Sequence, residues 1–152
     1  MKTQIAPPQE FTVAGANRTL PLVKAIVADI VALYRDVSER KERLESLRKR
    51  RPKQSKRDDD PYREEVDQIR QGLEKDVERL QAFVDELADL GVALKDPSDG
   101  LVDFPTLMDG TPAFLCWKLG EPEVAFWHRA DVAVTNRQPL PPTGTRPADH
   151  AV

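Results

Sequence analysis

Apolar residues first recur in steps of three and four. The row runs Ala16, Leu20, Val23, Val27, Ile30, Tyr34 and Val37, and Leu22, Ile26 and Leu33 widen it. It continues more weakly through Leu44 and Leu47. This spacing puts the apolar side chains along one face of an α-helix. Thr12 stands at the N-cap position, where a hydroxyl can take up a free backbone N–H of the first turn. Pro21 removes one helical donor, which predicts a kink there or a helix start nearer Leu20. A second row, Tyr62, Val66, Ile69, Leu73, Val77, Leu80, Val84 and Leu87, repeats the period. It opens with Asp60 as N-cap and Pro61 at the first helical position. It closes at Leu90-Gly91-Val92, with Gly91 as the left-handed residue after the helix. The stretch between the rows, RKRRPKQSKRDDD, has nothing to bury. Two such rows predict a long antiparallel helical hairpin with arms of roughly 40–55 Å.

The period then changes to two. Ala113, Leu115, Trp117 and Leu119 alternate with Phe114, Cys116 and Lys118, and Val124, Phe126 and His128 alternate with Ala125 and Trp127. Alternation in short, aromatic-rich runs predicts strands. Asp109-Gly110 is a two-residue hairpin signal, because both central residues of a type I′ turn need positive φ. Turns are also expected at Asp96 to Gly100 and at Gly120 to Glu123. The result is a small antiparallel β-meander with strands at roughly 92–95, 101–108, 111–119 and 123–129. One further short extended piece is expected before residue 140. The fold class is therefore α+β, a helical hairpin followed by a meander.

Loop lengths set a register. A two-residue turn places Met108 opposite Thr111, Phe104 opposite Leu115 and Asp103 opposite Cys116. A four-residue loop over 120–123 places Leu119 opposite Val124, Cys116 opposite Trp127 and Leu115 opposite His128. Residues that face each other share a side of the sheet. One side then carries Phe104, Leu115, Trp117, Phe126 and His128. The other carries Asp103, Cys116, Lys118 and Trp127.

At 152 residues the chain has room for one domain. The expected organisation is a loose lead over 1–10, a domain over 11–140 and a disordered tail over 141–152. Within the domain the hairpin takes 12–90 and the meander 92–129. A net charge of −3 gives little general attraction to nucleic acid or an anionic membrane. The basic run Arg48 to Arg57 abuts three aspartates and reads as a solvated loop. The single cysteine makes no internal disulfide, so a reducing compartment is expected. No run has signal-peptide or membrane-spanning length, and a cytoplasmic protein is expected.

The segments FTVAGANRTLPLV, GLVDFP, LCWKLGEPE, FWH and the trailing NRQPL resemble an uncharacterised bacterial family catalogued as a domain of unknown function (DUF2203-like). The resemblance spans about residues 11–140. Members usually carry acidic residues where this chain has Ala14 and Gly15. The resemblance implies no activity and no catalytic residues.

For chemistry, Asp103, Glu121, Glu123 and His128 are the residue types that ligate a divalent ion such as Zn²⁺ or Mn²⁺. The expected register separates Asp103 from His128 on opposite faces. Such a site would then borrow a ligand from a second chain or from Asp131. Cys116, flanked by aromatics, reads as a small buried apolar residue, and Trp117 and Trp127 read as core. There is no HExxH, no paired cysteine and no Gly-rich phosphate loop. Two functions follow. The first is a non-enzymatic, self-associating interaction protein. The small sheet would cover part of the excess apolar width over residues 20–34 and a second copy the rest, and the Gly120 to Glu123 turn or the sheet would be offered to a protein partner. The alternative is a small metal-binding protein or enzyme with a composite site around His128.

Overall fold

The computed structural model describes residues 10–50, 61–132 and 136–141. Two helices precede a five-stranded antiparallel sheet whose order follows the chain. They are α1 (Val13–Arg50) and α2 (Pro61–Asp89). The strands are β1 (Ala93–Asp96), β2 (Leu101–Met108), β3 (Thr111–Lys118), β4 (Phe126–Arg129) and β5 (Gln138–Pro139). The meander therefore has one strand more than the four laid out from the turns, and β5 is the short extended piece expected after residue 129. Asp60, the basic run beyond Arg50 and the tail beyond Pro141 lie outside the described residues, as does most of the lead.

Helix α1 begins at Val13, not near Leu20, and runs through Pro21. The Thr12 Oγ1 accepts the Gly15 N–H at 2.9 Å, which satisfies one donor of the first turn. Its buried row is Val13, Ala16, Leu20, Val23, Ile26, Val27, Ile30, Leu33 and Val37. Ile26 and Leu33, for which the sheet or a second copy was the expected cover, are buried within the chain at 7% and 8% exposure. Leu22 is left out at 53%. Helix α2 ends as Gly91 predicts: the Gly91 N–H bonds the Ala88 carbonyl at 2.9 Å and the Val92 N–H bonds that of Leu87 at 3.0 Å. These two bonds satisfy carbonyls that the helix end leaves free.

The two helices meet along two apolar clusters. The larger joins Leu20, Val23, Val27 and Ile30 to Leu87, Phe104, Leu115 and Trp117 of α2 and the sheet. The smaller, farther along the hairpin, is Leu33, Val37 and Leu73. Leu44 and Ile69 pack against this cluster, and ion pairs flank it. Arg40 bonds Asp76 and Asp36, and Arg43 bonds Glu65. The hydrogen bond from Arg40 holds the Asp76 carboxyl below the usual range.

The β2–β3 register is the expected one, with Met108 opposite Thr111 and Asp103 opposite Cys116. Asp109 and Gly110 both have positive φ, 53° and 78°, as the tight turn requires. The free half of β2 is completed by the residues before α1. The Phe11 N–H donates to the Pro105 carbonyl at 2.7 Å, and Thr106 Oγ1 donates to the Phe11 carbonyl at 2.6 Å.

The β3–β4 register differs from expectation by one residue. Phe114 faces His128, Leu115 faces Trp127 and Cys116 faces Phe126. The cause lies in residues 119–125, which form a folded loop and not the end of two strands. Trp117 Nε1–H donates to the Glu121 carbonyl at 2.9 Å and draws the loop back. The Val124 N–H leaves the ladder for Asn17 Oδ1 at 2.7 Å, and its side chain is fully buried in the main core. Val124 and Phe126 therefore do not share a face, although they are two residues apart. A one-residue slip moves every side chain of a strand to the opposite face. Phe126 and His128 leave the core face, and Trp127 joins it, packed against the main cluster.

Two substitutions test this packing. Trp117 is fully buried, so Trp117→Ala is expected to cost about 3–5 kcal/mol in chemical denaturation. Gly100 has φ +72°, and a Cβ there would stand 2.8 Å from both Leu119 Cβ and Val27 Cγ1. Adding backbone strain to overpacking, Gly100→Ala is expected to cost at least about 2 kcal/mol. A loss below about 0.5 kcal/mol, the range of surface changes, would mean that this turn does not rest on α1.

Candidate metal centre

The corrected register brings Asp103, Cys116 and His128 to one place on the face of the sheet turned away from the helices. Asp103 and Cys116 are direct partners across β2–β3. His128 lies on β4 opposite Phe114, diagonal to Cys116. Asp103 is 1% exposed, Cys116 0% and His128 3%. Among the described residues, these three form a group whose potential ligand atoms all lie within 4.8 Å of one another.

Asp103 is the hub. Its Oδ1 accepts the Cys116 thiol at 3.2 Å, and its Oδ2 lies 2.9 Å from His128 Nε2. His128 Nδ1 lies 2.8 Å from the Arg129 carbonyl. A carbonyl only accepts, so Nδ1 carries a proton and donates it. The Phe114 ring stacks on the imidazole, centroids 5.3 Å apart. Burial, then the Asp103 charge and its hydrogen bond, push the Cys116 thiol far above its usual range. The thiol is thus protonated and faces a carboxylate in place of an imidazole. An activated cysteine nucleophile needs the reverse: a base beside the sulfur and positive charge to lower it.

The other sequence candidates fall elsewhere. Glu121 sits in the loop, where its Oε1 accepts the Lys118 N–H and the Arg137 guanidinium, each at 2.9 Å. Glu123 is exposed. Asp131 is exposed and pairs with Arg129 at 3.4 Å. Of the four proposed ligands, the structure brings Asp103 and His128 together and leaves both glutamates outside. Cys116 lies beside these two, and its place opposite Asp103 was already given by the β2–β3 turn.

A family model described as an uncharacterized conserved protein (DUF2203) matches residues 9–140. The chain belongs to this family. The DUF2203 match takes in both helices, all five strands and all three residues of the centre. Neither the curated proteins nor the solved structures give a match. Among the described residues of this DUF2203 chain, no helix is long and apolar enough to cross a membrane.

The thiol gives a pH test. A folded-state value above the unfolded one favours the protonated form in the fold. Stability from this source is fully present below the ordinary thiol value and is lost as pH rises above it. In metal-free protein, wild-type stability is expected to fall by up to about 1.4 kcal/mol per pH unit above about pH 8.5. Cys116→Ala should lack that part of the slope in denaturation curves taken from about pH 8 to about pH 10. Equal slopes in the two proteins would show that the thiol is not held protonated by the fold.

Proposed function

We propose that the chain is a small metal-binding protein whose centre is Asp103, Cys116 and His128, and that it takes a divalent ion of the zinc class. The observation that carries this reading is the convergence of a thiol, an imidazole and a carboxylate at one buried point. Zinc bonds of about 2.0–2.3 Å at tetrahedral angles put ligand atoms about 3.3–3.7 Å apart. The three ligand atoms already lie within 4.8 Å of one another, so closing on an ion asks for a modest inward adjustment. His128 supports the reading further, because its Nδ1–H is already donated to a backbone carbonyl. A metal-bound histidine is oriented in this way, with the second nitrogen left for the ion.

Charge also fits. A divalent ion bound by one thiolate and one carboxylate is neutral as a whole, so the low-dielectric site gains no uncompensated charge. The soft thiolate selects zinc over manganese.

Zinc titration against a competing chelator, on protein purified without an affinity tag, tests the reading. About one ion per chain is expected, with release of the thiol proton. Loss of a second-shell partner already costs 10–100-fold in affinity. Cys116→Ser and His128→Ala should therefore each weaken zinc binding by more than about 100-fold. Zinc at about 100 times its dissociation constant should stabilise the wild type by about 2.7 kcal/mol. Absence of bound zinc together with an unmoved melting temperature would overturn the metal reading.

Self-association is a second reading, and Leu22 supports it. It is the large apolar residue of α1 most exposed to solvent, at 53%. Light scattering is expected to give a dimer that Leu22→Lys converts to a monomer. A wild-type mass of 17.1 kDa at micromolar concentration would overturn this second reading.

A further inference from the structure

We propose that the centre leaves one coordination position open to a small carboxylate and that Arg137 holds that anion. The inference rests on the metal reading above. Three protein ligands fill three corners of a tetrahedron, and sites of that kind keep the fourth for water or substrate. Arg137 stands over that side of the sheet. Phe126 is the direct partner of Cys116 across β3–β4, so its ring borders the centre on the same face. The guanidinium carbon of Arg137 lies 4.2 Å from the centroid of that ring. Arg137 is thereby carried in the layer above the face that presents Asp103, Cys116 and His128.

The guanidinium is only partly used. Nη2 donates to Glu121 Oε1 at 2.9 Å. Nε is buried and has no hydrogen-bond partner among the described residues. A buried donor without an acceptor is costly, and a charged one more so. Its positive charge also acts on Cys116, where it opposes the effects that raise the thiol. A guanidinium fork with an unfilled donor beside a centre with an open position suits a ligand having two adjacent oxygens, one for the ion and one for the fork.

Charge narrows the class. The ion with one thiolate and one carboxylate is neutral, and Glu121 already neutralises Arg137. A monoanion adds a single charge to this surface, whereas a phosphate dianion adds two beside Glu121. A monocarboxylate is therefore favoured over phosphate.

The experiment uses the full chain with Co²⁺ in place of Zn²⁺, because cobalt absorption reports coordination. Cobalt bands that include a thiolate charge-transfer band are expected before any anion is added. Their absence overturns the metal centre, and the present inference with it. With the bands established, acetate is expected to shift them saturably and to bind more tightly than inorganic phosphate. Arg137→Met should weaken acetate by about tenfold or more, the range of a lost charged hydrogen bond. The cobalt bands themselves should persist in Arg137→Met, because Arg137 is not a ligand. Glu121→Gln keeps an acceptor for Lys118 and Arg137 but removes the competing charge. It should tighten acetate, an effect that a purely structural role for the pair would not produce, and it does not depend on Arg137→Met folding. Cobalt bands unmoved by acetate, or acetate binding unchanged in both variants, would overturn the anion site and leave the metal centre standing. Tighter binding of phosphate would overturn the carboxylate assignment.

Discussion

A carboxylate taken out of water must be answered by donors, and Asp103 sets that demand at the middle of the sheet. At 1% exposure it has almost no access to solvent. An unpaired charge there would be strongly unfavourable. The thiol of Cys116 answers one oxygen and the imidazole of His128 faces the other. This need ties three strands to one register: β2 supplies the acid, β3 the thiol and β4 the ring. The loop before β4 serves it too. By releasing Val124 to the helical core, it lets the next residues enter the ladder with His128 turned toward Asp103.

The helical side fixes the opposite face. Val102, Phe104, Leu115 and Trp117 are fully buried within the main cluster. Once those alternate residues are committed to the helices, their neighbours in β2 and β3 have to point the other way. The polar centre is in that sense the reverse side of the core, held by the same backbone. The Phe11 segment contributes from a distance: its ring meets Phe104 edge-on, with centroids 5.2 Å apart.

Much of this was legible in residue patterns. The helix rows, the stop at Gly91 and the Asp109-Gly110 turn each carry a local cause that acts over a few residues. The pairing of Asp103 with Cys116 follows from that turn alone. Past Lys118 the pattern misleads, because Val124 to His128 alternates as a single strand would. Nothing local marks the break there. It depends on Asn17, over one hundred residues away in the chain, accepting the Val124 N–H. The same error hid the centre, since a single step of register decides whether His128 sees Asp103 or the helices. Leu22 stands at the margin of the α1 face, where the chain's own elements leave it in solvent. Arg137 lay in a segment read only as a short extension, with no pattern to announce its pairing with Glu121.

The division of the hairpin into two apolar clusters has a mechanical consequence. Leu33, Val37 and Leu73 form a patch of their own beyond the main core, with Phe83 and Leu80 in contact with both. Toward Arg50 the apolar seam thins to Leu44, Ile69 and Val66, and the ion pairs Arg40–Asp76 and Arg43–Glu65, near the surface, each contribute little. The far end can therefore open at a smaller free-energy cost than the end against the sheet. Amide protons of α1 should exchange with solvent in two tiers, the outer one rising with ionic strength as the pairs are screened. The hairpin is in this respect a lever with a rigid root, able to yield at its tip while the strands that hold Asp103 stay in register.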